Sequence, residues 1–226
     1  MQLSTQEIKL PVGGVSMGDL RRTSAISSNW GLDRGTPIDR RYISNFIDEN
    51  IRFIKGRILE VKEAPYACRG GAAVGAVDIV DIDTQNSNAT IYADLTSAEN
   101  IDSNTYDCVI LTQTICVIYD VASVIKVVHR ILKPGGTVLL TVPGPFSPPF
   151  PGDTFETFYW AFYPRTIASL LSPFFSESEI EIRSHGNLSV CAAFISGLSI
   201  QDLSEDDFKV DDPFYPLIIT ARATKR

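Results

Sequence analysis

The chain lacks the features that several large classes of protein require. Its 226 residues contain no uninterrupted apolar run of about 18 residues, so the sequence predicts no membrane-spanning helix. The net charge is -7, and this lack of excess positive charge argues against a general affinity for nucleic acid. The first residues lack the charged and then apolar run of a signal peptide. We therefore expect a cytoplasmic protein.

Cysteine pairs with the spacing of a metal site are also lacking. The chain has 4 cysteines, and no two of them are separated by only two residues. This spacing favours neither a zinc site nor a disulfide framework, so we expect no metal and reduced, buried thiols. The cysteines are Cys68, Cys108, Cys116 and Cys191.

Glycine is missing where a nucleotide-binding fold needs it most. Residues 57–61 form a predicted buried strand with the acidic Glu60 next to its last residue, and Lys62 directly follows the strand. A glycine there would permit a positive φ angle and close approach of the backbone to a ligand. The first glycine pair after this strand is Gly70 and Gly71. Since no G-x-G-x-x-G follows the strand, a nicotinamide-dependent oxidoreductase is disfavoured.

Short apolar strands alternate with amphipathic helices along most of the chain, which predicts parallel βα units in one domain. We place this domain at residues 36–226, after a flexible arm or lid at residues 1–35. The predicted helices cover residues 36–55, 121–132, 157–171 and 189–197, with a proline-rich loop at 143–153. The predicted strands cover residues 57–61, 76–81, 89–94, 106–111, 137–142, 179–183 and 216–223.

Two segments carry a family resemblance. Residues 106–114, YDCVILTQT, followed by residues 129–136, HRILKPGG, resemble the class I S-adenosylmethionine-dependent methyltransferases. The resemblance extends over roughly residues 36–225. It implies an α/β, Rossmann-like fold: a seven-stranded, mostly parallel sheet with helices on both faces and an antiparallel last strand. Residues 30–43 are similar to a narrower bacterial branch whose members resemble glycan or natural-product methyltransferases.

The same resemblance implies a binding site for S-adenosylmethionine at the carboxyl ends of the first four strands. Glu60 would face the amino group of the methionine part, Asp81 the ribose hydroxyls and Asp94 the adenine. Asp78 and Asp83 compete with Asp81 for the ribose role, and each acid has a structural alternative as a strand end or, for Asp94, as the cap of a short helix at 96–101. The further cofactor residues implied are Val61, Lys62, Ile82, Leu95, Thr112 and Gln113.

Lys62 departs from the glycine-rich turn of the family. Its side chain would crowd the site, and its charge would repel a sulfonium ion. Two interpretations follow: the cofactor is held by a reshaped loop, or the site is weakened or lost.

For the methyl acceptor, the sequence offers only weak candidates. His185 and Tyr119 are possible proton-transfer groups, whereas His129 lies within a predicted helix and is expected to be structural. The aromatic segment 150–163 is expected either to contact the acceptor or to pack as a lid helix. The N-terminal arginines are expected either to hold an anionic acceptor or to form a solvated face. The predicted substrate residues are Arg34, Tyr42, Tyr159 and Trp160.

The sequence thus predicts methyl transfer from S-adenosylmethionine to a small-molecule or glycan acceptor, with oxygen favoured as the receiving atom. The alternative is a methyltransferase-like module without catalysis that serves in binding or assembly. The oligomeric state is left open, with a homodimer as one option.

Overall fold

A computed structural model describes residues 11, 14–16, 18–148 and 158–226. Its centre is a seven-stranded sheet in the order β3-β2-β1-β4-β5-β7-β6, with β7 antiparallel to both of its neighbours. The fold prediction is therefore confirmed. The strands are β1 Gly56–Val61, β2 Val74–Asp81, β3 Ile91–Tyr92, β4 Tyr106–Thr112, β5 Leu132–Pro143, β6 Ile180–His185 and β7 Ile218–Thr224. The helices are α1 Ile38–Glu49, α2 Val121–Ile131, α3 Pro164–Leu171 and α4 Leu188–Ile195.

Helices cover both faces of the sheet because successive side chains of the buried strands point to opposite sides. Leu59, Val109 and Leu111 pack in a cluster with the apolar sides of α2 and α3. On the other face, Ile58, Cys108 and Ile110 pack with residues of α1. The fourth helix packs against α1 at the β6–β7 end of the molecule. Burial on both faces explains why the central strands are continuous apolar runs.

The crossover from β1 to β2 contains no α-helix. Residues 62–73 include only a 3₁₀ segment, Ala67–Ala73. Within it, Gly71 has φ 58° and ψ -133°, a conformation that favours glycine. A side chain at Gly70 would approach the carbonyl oxygen of Ile54 to 2.3 Å. Ile54 precedes β1, so this close approach lies at the amino ends of β1 and β2. The glycine pair therefore does not substitute for the glycine missing at the carboxyl end of β1.

Several predicted boundaries need correction. Helix α1 begins at Ile38, two residues after its predicted start: Pro37 is the cap residue, makes no side-chain cap hydrogen bond and bridges to Ser199. The third strand pairs with β2 over two residues only. The helix predicted at 157–171 begins at Pro164, and residues 149–157 lie outside the described part of the chain. Residues 96–101 form turns instead of a short helix.

Part of the predicted N-terminal arm lies against the domain. The N–H of Ile26 donates to the carbonyl oxygen of Ser196 at 2.7 Å, and Ser27 is buried. Arg34 forms a two-bond ion pair with Asp202, with nitrogen–oxygen distances of 2.5 and 3.0 Å. The described residues of this arm from 26 onward are thus tied to the segment after α4, and a lid function of residues 1–35 stays a prediction.

Candidate functional site

The carboxyl ends of β1 and β4 mark the point where the strand order reverses, which is where open α/β sheets bind ligands. Lys62, directly after β1, has φ 67°, and Gln113, directly after β4, has φ 51°. A side chain in this left-handed conformation costs about 1 kcal/mol or more. The N–H of Lys62 donates to the carbonyl oxygen of Val80 at 3.0 Å. Lys62 therefore keeps the backbone conformation for which glycine is suited, and its side chain is exposed.

Glu60 is enclosed by the loop that follows it. Its carboxylate accepts hydrogen bonds from the N–H groups of Tyr66 at 3.3 Å and Ala67 at 2.7 Å, and the residue is only 2% exposed. Burial raises the pKa of this carboxyl to about 7, although both N–H groups oppose the shift. The structure thus places Glu60 as the residue that fixes loop 62–67 at the edge of the sheet.

Asp81 ends β2 next to this loop, with its carboxylate held in a fixed orientation. Its Oδ1 accepts the N–H of Asp83 at 3.0 Å, and its Oδ2 accepts the side-chain amide of Asn86 at 2.8 Å. Burial acts to raise the pKa of Asp81, but these hydrogen bonds and the nearby charge of Lys62 lower it below its usual value. The group is therefore ionised at neutral pH. By contrast, its predicted rival Asp78 is paired with Arg57 at 2.7 Å.

The third predicted acid, Asp94, follows β3 and is exposed. Its Oδ1 accepts both the N–H and the hydroxyl of Thr96 at 2.8 Å, so it closes a turn and does not cap a helix. Leu95 is buried in the core, whereas Ile82, after β2, is 69% exposed. Three acids, from β1, β2 and the β3 end, thus lie along one edge of the sheet.

The segment after β4 is held firmly to β5. The N–H of Gln113 donates to the carbonyl oxygen of Thr141 at 2.9 Å, and its own carbonyl oxygen accepts the thiol of Cys116 at 3.2 Å. The carbonyl oxygen of Thr112 accepts the hydroxyl of Thr114 at 3.1 Å. This bonding fixes a strained, partly exposed Gln113 beside the switch point, consistent with a functional position.

Exposed aromatic side chains form a cluster beyond this segment. Tyr119 lies 5.5 Å from Tyr159 and 5.7 Å from Trp160, measured between ring centroids. The indole N–H of Trp160 donates to the carbonyl oxygens of Ile118 at 3.1 Å and Tyr119 at 3.2 Å. We call Tyr119, Tyr159 and Trp160 the aromatic platform. The other described aromatics of this segment include Phe162, which is buried, and Tyr163, which is exposed.

The remaining predicted acceptor residues are engaged in contacts within the protein. Both ring nitrogens of His185 have partners: Nδ1 lies 3.3 Å from the carboxylate of Asp211, and Nε2 lies 3.0 Å from the hydroxyl of Thr220. The ring of Tyr42 stacks on His185 and is buried. Arg34 is bound by Asp202, as described above. His129 packs against the rings of Phe174 and Phe175.

Two pockets of the described residues lie away from the switch point. One is formed by α3 and β6 with Arg165, Ser169 and Ile182 among its walls, and the other borders α4 near Leu188 and Ala192. Asn86, which contacts both Asp81 and the Lys62 backbone, was missed by the sequence analysis because an asparagine in a polar loop carries no distinguishing pattern.

Comparison with known proteins agrees with this geometry. The model of a family described as "Methyltransferase domain" matches residues 61–140, from the end of β1 into β5. A methyltransferase from Mesorhizobium loti, described as S-adenosylmethionine dependent, is 14% identical, with a TM-score of 0.57 over 83% of this chain and 100% of that chain. The fold is that of S-adenosylmethionine-dependent methyltransferases.

Two further structures show the same likeness. A SAM dependent methyltransferase from Archaeoglobus fulgidus is 12% identical, with a TM-score of 0.55 over 82% of this chain and 94% of that chain. Phosphoethanolamine N-methyltransferase 2 from Haemonchus contortus, solved with phosphomonomethylethanolamine and S-adenosylhomocysteine, is 17% identical, with a TM-score of 0.53 over 80% of this chain and 52% of that chain. No curated protein sequence matches the chain.

The family match is limited to residues 61–140, and the likeness to the solved structures is one of fold. They do not distinguish the narrower bacterial branch from other branches of the superfamily. None of the helices in the described part of the chain is long and apolar enough to cross a membrane.

Proposed function

We propose that this protein binds S-adenosylmethionine at the carboxyl ends of β1 to β4 and transfers its methyl group to an oxygen of a small-molecule or glycan acceptor. The observation that carries the proposal is the left-handed backbone of Lys62 beside the ionised, oriented carboxylate of Asp81. A strained residue that keeps the glycine conformation at a ligand-binding switch point supports a retained site over a lost one.

The residues at this edge suit the parts of the cofactor. Asp81 is ionised, and its remaining lone pairs suit the two ribose hydroxyls. The second oxygen of Asp94 and the backbone N–H of Leu95 suit the adenine edge. Val61 and Lys62 supply backbone beside the ribose, and Ile82 offers an exposed apolar side chain to the adenine. Glu60 holds the loop and acts through it, since its carboxylate is already bound by N–H groups.

When bound, S-adenosylmethionine supplies an electrophilic methyl group. The protein then has to orient the acceptor, remove water from around it and accept its proton. Thr112 and Gln113 lie next to the cofactor edge and are suited to orient a hydroxyl group. Alignment of this kind is a large source of rate in a direct displacement, so catalysis does not depend on a strongly basic side chain.

The aromatic platform is the part of the surface best suited to the acceptor. Its rings are exposed, close to each other and attached through the N–H groups of Tyr159 and Trp160 to the carbonyl oxygen of Cys116. Stacked aromatic side chains bind the apolar face of a sugar or a planar ring. Tyr119 also carries an exposed hydroxyl, which makes it the better-placed candidate for proton transfer, because both nitrogens of His185 are engaged.

Calorimetric titration of the purified protein with S-adenosylmethionine and S-adenosylhomocysteine tests the cofactor half of the proposal. We expect a dissociation constant in the micromolar range, and a loss of at least about tenfold in affinity for Asp81→Ala, because an ionised hydrogen-bond acceptor is removed. Asp102→Ala is the matched control, since this exposed aspartate lies in the loop before β4. Absence of heat and of a thermal shift at millimolar ligand would overturn the proposal.

The acceptor half is tested by transfer of a radiolabelled methyl group to a panel of nucleotide sugars and hydroxylated aromatic compounds. Trp160→Ala is expected to raise KM for an acceptor found in this way, while the affinity for S-adenosylhomocysteine stays unchanged. An unchanged KM would remove the platform from the acceptor site.

A further inference from the structure

Asn86 connects the residue after β1 with the last residue of β2, beside the switch point. Its side-chain Nδ2 donates to the carbonyl oxygen of Lys62 at 2.8 Å and to Oδ2 of Asp81 at 2.8 Å. Its Oδ1 accepts the N–H of Asn88 at 3.0 Å. The orientation of the amide is fixed by these partners, because the reversed amide would bring its oxygen against two acceptors and its NH₂ against a donor.

Lys62 needs such support because its conformation is unfavourable. At φ 67°, a residue with a side chain is strained, and the strained form persists only if its surroundings impose it. Two hydrogen bonds impose it here: the N–H of Lys62 is held by Val80, and its carbonyl oxygen by Asn86. Glycine would adopt the same conformation without this help.

The backbone of Asn86 is itself held by hydrogen bonds, which fixes the position of its side-chain amide. Its N–H donates to the carbonyl oxygen of Asp83 at 3.2 Å. Its carbonyl oxygen accepts the N–H of Ala89 at 3.1 Å and the hydroxyl of Tyr92 at 3.2 Å. Every polar group of Asn86 is therefore bonded, and the residue is half-buried.

We propose that Asn86 is a positioning residue of the cofactor site, whose side-chain amide holds Lys62 in the glycine-like backbone conformation and orients Asp81 toward the ribose. This inference rests on the proposed cofactor site. An ionised carboxylate has about four acceptor positions. The N–H of Asp83 and the amide of Asn86 occupy one each, so acceptor positions remain for a ribose diol.

This role of the Asn86 amide predicts that substitutions at positions 86 and 62 have non-additive effects on cofactor affinity. In the natural background, Asn86→Ala releases Lys62 from its strained conformation and frees Asp81, so the affinity for S-adenosylhomocysteine is expected to fall about tenfold. In the Lys62→Gly background, residue 62 adopts the left-handed conformation without the hydrogen bond from Asn86. There, Asn86→Ala is expected to cost about threefold or less, since only the contact with Asp81 is lost.

The experiment is a double-mutant cycle on four proteins: the natural chain, Asn86→Ala, Lys62→Gly and the double variant. S-adenosylhomocysteine affinity is measured by calorimetry, and the urea midpoint is measured without ligand. Asn88→Ala is the control, since it keeps the same loop and removes a side chain that makes neither contact. We expect Asn88→Ala to leave both quantities unchanged and the cycle to show coupling in both.

The outcomes separate this inference from the proposed function. If the natural chain and Lys62→Gly both fail to bind, the cofactor proposal fails, and the urea midpoints still test whether Asn86 supports Lys62. If the natural chain binds but Asn86→Ala binds equally well, or loses the same factor in both backgrounds, the positioning role is overturned. If Asn86→Ala binds more tightly, the amide competes with the ribose, which also overturns the inference.

Discussion

Lys62 and Gln113 share a left-handed backbone conformation at the ends of neighbouring parallel strands. Their φ angles are 67° and 51°, and they follow β1 and β4, between which the strand order of the sheet reverses. Each N–H is bonded to the carbonyl oxygen of an adjacent strand, Val80 for Lys62 and Thr141 for Gln113. Strain at this one place in the sheet is consistent with a ligand site there.

The strain at Lys62 predicts an unusual order of stability. Lys62→Gly is expected to be more stable than Lys62→Ala by about 1 kcal/mol, because only glycine occupies the left-handed region without a steric cost. At most positions in regular structure, the order is the reverse. Urea denaturation of the two variants measures the difference. Equal stability, or a more stable alanine variant, would show that position 62 does not hold this conformation in solution.

Glu60 predicts a pH dependence of stability. Its carboxyl has a pKa of about 7 in the folded protein against 4.5 in the unfolded chain, because burial disfavours the charge. As pH rises between these values, the unfolded chain loses the proton first. The folded state then binds more protons, and its stability falls with rising pH, by about 3 kcal/mol over the window.

Glu60→Gln removes this contribution. The free energy of unfolding of the natural chain is therefore expected to fall relative to that of the variant as the pH rises from 4.5 to 8. Denaturation curves recorded across this range measure it. Glu99→Gln is the control, because Glu99 is exposed in the turns after β3. A slope that is the same in all three proteins would contradict a buried, proton-holding Glu60.

The sheet could be predicted from sequence because strands buried on both faces leave a strong local pattern. Tyr106–Thr112 and the helix Val121–Ile131 were placed almost to the residue, since their apolar periods are set by burial in the core. The short third strand was overextended, because pairing over two residues leaves no period that local sequence can reveal.

The site was only partly predictable, because its contacts join segments distant in sequence. The acids Glu60, Asp81 and Asp94 lie at or near strand ends, and this position in the sequence was enough to select them as candidate site residues. The role of Glu60 in holding loop 62–67 depends on how the loop folds back, and the bond between Asn86 and Lys62 depends on two separate turns. Neither relationship has a local signature. Similarly, the ion pair between Arg34 and Asp202 joins two segments that are far apart in the sequence.

The thiols predict a simple chemical test of the fold. Cys68 is exposed, whereas Cys108, Cys116 and Cys191 are buried. Burial raises the pKa of Cys116 and of Cys191 to about 12, so neither forms the reactive thiolate at neutral pH. A thiol reagent is expected to modify one cysteine quickly in the folded protein and all four in denaturant. Cys68→Ser should abolish the fast reaction. A fast second thiol would place one of the other three outside the core.

Two buried tyrosines, Tyr42 in α1 and Tyr106 at the start of β4, differ in the hydrogen bonding of their hydroxyl groups and so test the packing of the core. The hydroxyl of Tyr42 is buried and has no hydrogen-bond partner among the described residues, whereas the hydroxyl of buried Tyr106 donates to Asp78 at 3.1 Å. An unpaired buried hydroxyl costs free energy, and a paired one contributes to stability. Tyr42→Phe is therefore expected to raise the free energy of unfolding by about 1 kcal/mol, and Tyr106→Phe to lower it by about 1 kcal/mol. Urea denaturation of both variants measures these changes. Loss of stability in Tyr42→Phe would show that this hydroxyl has a hydrogen-bond partner in the folded protein.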